Sequence, residues 1–166
     1  EDWFEITNVG EVAWDDAAFG DLFYDDESQD PTDATKIENI TSIAPGESAV
    51  VVVGDSADAD EWGAVWGDDI DLTNLQVGWT DGSGLSNGGD AVTLFLRDEP
   101  VTGQDPNDGL NADDIIDVAN YPDADGNSGR AWEVAAGQFA TLEDFEDTVA
   151  TTLTAGDSGE EPAIAS

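Results

Sequence analysis

EDWFEITNVG, residues 1–10, and IAPGESAVVVV, residues 43–53, are the two stretches that decide how this chain folds. In the first, Phe4, Ile6 and Asn8 fall on one side and Trp3, Glu5 and Thr7 on the other, the period of two expected of a strand with unequal faces. Asn8-Val9-Gly10 then closes it with turn chemistry. In the second, Pro45-Gly46 is a turn pair, and Ser48 to Val53 is a nearly continuous β-branched run, the pattern of a strand buried on both faces.

Outward from this pair, Lys36 to Ile43 (KIENITSI) spaces Ile37, Ile40 and Ile43 imperfectly and is expected to cover a sheet edge before the Pro45-Gly46 turn. Asp25 to Thr35 reads as a polar loop. Gly54 to Gly67 changes period: Trp62 and Trp66 lie one helical turn apart, and Asp58 with Glu61 three residues later can cap a helix over about 57–66. A tryptophan pair at that spacing is core material before it is a ligand platform. Leu75 to Trp79 is a further strand, followed by the turn-rich Thr80 to Gly89 (TDGSGLSNGG).

Asp90 to Leu96 alternates Val92, Leu94 and Leu96 against Ala91, Thr93 and Phe95. Asn87-Gly88-Gly89 supplies the positive φ angles of the preceding bend. Asp90, just after it, is placed to accept from loop amides, not to catalyse. Asp114 to Tyr121 returns as a strand and Arg130 to Val134 (RAWEV) as the last one, whereas Leu142 to Leu153 fits helix or strand. The chain has no internal repeat.

DWFE at the first strand, GLSNGGDAVTLF at 84–95, RAWEV at 130–134, and a helix closed by Trp66-Gly67 together resemble the lamin tail domain family. The stretch from Glu11 to Asp26 resembles the family segment in which an aromatic precedes a pair of acids, with Phe19 or Phe23 standing where the family usually has Trp. The resemblance implies an all-β fold, an immunoglobulin-like β-sandwich of the lamin-tail type, with one short helix near 57–66 and long acidic loops. It implies a domain over 1–153 and a glycine-rich exit or linker over 154–166.

Two departures stand out. The family's first strand would precede Glu1, and its absence leaves an open slot beside the DWFE strand that a neighbouring molecule can fill by strand addition. About fifteen residues, DEPVTGQDPNDGLNA, also replace the family's short hairpin.

Forty acidic residues stand against three basic ones, Lys36, Arg97 and Arg130, for a net charge of -37. Self-repulsion at this density destabilises a compact chain in dilute buffer and is screened over roughly 3 Å in 1 M salt, so halophilic adaptation is the simplest explanation and multivalent cation binding the next. With 39% hydrophobic residues and six Trp, the chain is not of the disordered acidic class. Three cations cannot neutralise a run of phosphates, which argues against nucleic acid and anionic membranes. No apolar run is long enough for a membrane-spanning helix, and Glu1 in place of Met, without a signal-peptide pattern, points to a processed or excised chain.

Having neither His nor Cys, the chain lacks the parts of Ser-His or Cys-His nucleophilic machinery and of ordinary zinc sites. It carries no Gly-rich phosphate motif, and a short sandwich offers no deep cleft to raise one carboxyl pKa for glycoside cleavage. The expectation is therefore a non-enzyme. Calcium is the cofactor the sequence allows: Asp105, Asn107, Asp108, Asn111, Asp113 and Asp114 gather hard oxygen ligands in one insertion, and Asp123, Asp125 and Asn127 alternate in another. Neither run matches the twelve-residue EF-hand pattern, and solvated halophilic loops remain the competing reading.

Carbohydrate binding through an exposed Trp14 or Trp79 is a further option. Altogether the sequence points to a non-catalytic structural or interaction module, secreted or at the cell surface of a halophilic or marine prokaryote, partnered by itself or another surface protein. The alternative is an accessory domain of a larger exported nuclease or phosphoesterase.

Overall fold

The computed structural model describes residues 2–67, 71–97, 109–123, 132–133, 137–139 and 164–165. Among these the protein is mostly β-strand with two α-helices. The two stretches that open the sequence reading become neighbours: β1 (Asp2–Thr7) pairs antiparallel with β6 (Ser48–Val53) along its whole length, Phe4 opposite Val51. Asn8 locks the end of the pair, its side-chain amide donating to Ile43 O at 2.8 Å and to Val12 O at 2.9 Å.

From β6 the chain crosses through α2 (Ser56–Trp66) to β7 (Gln76–Thr80), which runs parallel to β6. Parallel neighbours need such a crossover, and it lays the helix on a sheet face. On the other flank of β1 lies β12 (Ile164–Ala165), parallel to both β1 and β10 (Trp132–Glu133); β10 in turn pairs with β11 (Gln138–Phe139). The described strands thus make a six-stranded sheet in the order β11-β10-β12-β1-β6-β7. The exit expected over 154–166 thereby returns a strand to the middle of this sheet.

A second sheet, of four strands, runs in the order β4-β3-β8-β9, built from β3 (Asp21–Asp25), β4 (Thr35–Lys36), β8 (Asp90–Arg97) and β9 (Ile115–Tyr121). A two-stranded ribbon joins β2 (Trp14–Asp15), which leads into the one-turn α1 (Asp16–Phe19), to β5 (Ser42–Ile43).

The two large sheets share one apolar layer. Phe4, Ile6, Ala49 and Val51 from the first meet Leu22, Tyr24, Val92, Leu94 and Ala119 from the second, and the Phe4 and Tyr24 rings lie 5.0 Å apart. Ile37, Ile40 and Ile43 fill the same layer from the connecting strap. That strap also covers an edge as expected, Glu38 forming an antiparallel bridge with Trp79.

A second apolar layer forms on the other face of β1 and β6. Trp3, Val50 and Val52 are buried beneath α2, with the Trp3 ring edge-on to Trp62 at 5.5 Å and to Trp66 at 6.0 Å. The helical tryptophan pair is therefore packing, and both faces of β1 are dry, not one. Glu5, on the same side of the strand as Trp3, is buried too. A third, smaller layer places Phe23 and Phe95 against Ala34 and Leu110 on the outside of the four-stranded sheet. Of the two phenylalanines, Phe23 is therefore the buried one, whereas Phe19 stays 44% exposed.

The helix is capped one turn earlier than Asp58 and Glu61 suggest. Asp55 is the N-cap: its Oδ1 accepts from the amides of Ala57 and Asp58, while Asp58 Oδ2 accepts from the Asp55 amide at 2.8 Å. Acids three apart occur twice in this stretch, and the pair adjoining the end of β6 takes the role.

Truncating a fully packed aromatic costs about 3–5 kcal/mol, so Trp62→Ala should lower the urea unfolding free energy in molar salt by that amount. Val65→Ala, half exposed on the same helix, should stay within about 0.5 kcal/mol. Equal costs for the two variants would show that α2 is not packed on β1 and β6.

Candidate functional site

Of the acids expected to bind calcium, Asp105, Asn107, Asp108, Asp125 and Asn127 lie outside the described residues. Asp113 and Asp123 are described and are both exposed. They sit before and after β9, whose seven residues span about 20 Å, so these two carboxylates do not share an ion.

Asn111 and Asp114 are turned toward each other in a capping box. The Asp114 carboxylate accepts from the Asn111 amide at 2.9 Å, and Asn111 Oδ1 accepts from the Asp113 amide at 2.9 Å. Their oxygens serve a single 3-10 turn. Among the described residues no group of three or more Asp or Glu is gathered in a way that could hold a metal.

The acids that the fold does bring near one another lie where Thr80 to Gly89 bends. Asp90 is buried and saturated with amides: Oδ2 accepts from Ser86 at 2.7 Å, and Oδ1 from Ala91 at 2.8 Å and Glu27 at 3.2 Å. Asp2 accepts from the Leu85 amide at 2.8 Å, and Leu85 plugs the inner core. Tyr24 and Tyr121 finish the bend by donating to the carbonyls of Ser83 and Ser86 at 2.8 and 2.9 Å. Asp25, also buried, accepts from the Ser28 hydroxyl at 2.8 Å and the Asp30 amide at 2.7 Å. Asp90 thus plays the loop-holding part its position suggests.

Burial pushes the Asp25 and Glu5 carboxyls above their ordinary range, against the opposing hydrogen bonds from Ser28 and Ser48. Glu27 is raised chiefly because its carboxyl hydrogen-bonds that of Asp90. Burial, followed by the charges of Asp90 and Asp26, keeps the Tyr24 phenol neutral. Only surface turns pull the other way: the Thr32 amide and hydroxyl lower Asp30, and Thr73 lowers Asp71.

The second gathering is around Trp79, on the outermost strand of the six-stranded sheet. One groove of about 520 Å³ runs between α2 and β7, lined by Asn39, Ser56, Asp60, Leu75, Val77 and Trp79. Another of about 430 Å³ lies on its far side, lined by Thr32, Asp33, Lys36, Glu38, Trp79 and Asp81. Trp79 is common to both and only partly buried. Its backbone is fixed on both flanks, by Val52 of β6 and by Glu38, whose amide donates to Trp79 O at 2.8 Å.

Trp14, the other candidate platform, packs on the inner core and donates its indole N–H to Gly20 O at 3.2 Å. The sequence names Trp79 by its composition alone. The groove walls come from three separated segments, so no local pattern marks them.

No protein-family model, curated protein or solved structure matches the chain.

Carboxyls held above their unfolded pKa bind more protons in the folded state, so their contribution to stability is full below about pH 4 and is lost as pH rises through the folded values. The urea midpoint in low salt should therefore rise between about pH 7 and pH 5, the reverse of ordinary acid unfolding. Glu5→Gln, which mimics the protonated form, should raise the midpoint at pH 7 and flatten this slope. A midpoint that falls on acidification over this range would contradict the assignment.

Proposed function

We propose that this chain is an immunoglobulin-like sandwich of the lamin-tail kind that works as a non-catalytic interaction module of an exported or surface protein in high salt. The observation that carries the reading is the situation of β1. Its two faces are buried under separate apolar layers, and its flank opposite β6 pairs across Phe4 and Glu5 with a two-residue strand from the far end of the chain. A strand pairing along all of Asp2–Thr7 would make more hydrogen bonds there than β12 does, and assembly by strand exchange follows.

The buried acids fit the same view. Asp2, Asp25 and Asp90 accept hydrogen bonds from loop groups and so serve the fold. The remaining charge forms a solvated coat suited to molar salt.

Full-length chain in 3 M salt should sediment as concentration-dependent oligomers, and an excess of a synthetic peptide of residues 154–166 should cap them to monomers. A chain that stays monomeric at millimolar concentration and ignores the peptide would end the strand-exchange proposal.

A further inference from the structure

We infer that Trp79 and the two grooves it divides form a binding site for a neutral oligosaccharide. The inference is independent of strand exchange, since β7 lies at the opposite edge of the six-stranded sheet from β10 to β12.

A saccharide has apolar C–H faces and a rim of hydroxyls, and it needs an aromatic surface with short polar side chains arranged around it. Trp79 supplies the surface. Asn39, Ser56 and Asp60 supply donors and acceptors in one groove, and Thr32, Asp33, Glu38 and Asp81 in the other. Because Trp79 lines both grooves, a chain of sugar units passing over it reaches polar groups on either side, which suits an oligomer better than a single ring. The platform is also prepared in advance. Trp79 sits on a strand paired on both flanks, and Asn39 is held beside it by donating to Val77 O at 2.9 Å, so little ordering is left to binding.

Charge selects within the class. A chain of net charge -37 repels sulfated and uronic-acid glycans, leaving neutral ones. The competing ligand is a cationic peptide, drawn to Asp33, Glu38 and Asp81 and stacked on the indole. Charge pairing of that kind fades when screening reaches roughly 3 Å at 1 M salt, whereas stacking and hydrogen bonding to a neutral sugar persist. The condition that stabilises this fold therefore favours the saccharide.

The test is titration of the full-length chain in 3 M salt with cellohexaose, laminarihexaose, chitohexaose, mannohexaose and a hexalysine peptide, followed by tryptophan fluorescence and calorimetry. One neutral hexasaccharide should bind with a change in indole emission and an affinity that does not fall between 1 and 3 M salt. Trp79→Ala should weaken it about thirtyfold or more, the scale of a buried aromatic anchor. Asp60→Ala, at an exposed helix position that cannot disturb folding, should weaken it several-fold. Absence of binding by all four sugars, binding unaffected by both substitutions, or binding of hexalysine alone with loss at high salt would each overturn the inference.

Discussion

The fold depends on pairing β1 with β6 and drying both faces of the pair. Phe4, Ile6, Ala49 and Val51 point into the layer shared by the two sheets, while Trp3, Val50 and Val52 point into the layer beneath α2. A strand pair with one wet face could slip in register by exchanging faces. Here a one-residue slip would drive Trp3 into the space of Phe4 and Val51 into that of Val52, so both layers oppose it. Asn8, bonded to Ile43 O and Val12 O, fixes the same register from the turn.

This drying explains how so acidic a chain stays folded. Net charge acts through the surface, and its cost is lowered by salt, whereas the two apolar layers are insensitive to screening. Where acids do enter the interior, the fold gives them donors: Asp90 receives three amides and Asp25 one amide and one hydroxyl. Glu5 is handled differently, since burial pushes it toward its protonated form against a hydrogen bond from Ser48, and the exposed Glu27 is pushed the same way by its hydrogen bond with Asp90.

The strands, the helix and the bend before Asp90 were legible because each is local. The β-branched run at 48–53 announces burial on two faces, the spacing of Trp62 and Trp66 announces a helix, and Asn87-Gly88-Gly89 announces a turn realised with Gly89 at φ +92°. What lay over Trp3 and Glu5 was not legible, because the period of two in EDWFEIT says nothing of a helix fifty residues on. The N-cap was displaced for a related reason: two acid pairs satisfy the same spacing, and only the end of β6 chooses between them. Of the candidate site, Trp79 was visible as a residue and invisible as a place, since Asp33, Asn39 and Asp60 come to it from other segments.

Burying both faces of β1 and β6 also dictates where recognition can occur. With one face against the second sheet and the other under α2, the β1–β6 pair has no face of its own left to offer. The β7 edge is partly closed by the strap of Glu38 to Ile40, and the closure requires Gly78: a Cβ there would lie 2.5 Å from Glu38 O and 2.7 Å from the Ile40 side chain. The strap can approach the strand closely at that one residue, and the next residue, Trp79, is thereby presented beside it and bridged to Glu38. The glycine that seals the edge against indiscriminate strand pairing is therefore also what sets the indole between its two grooves.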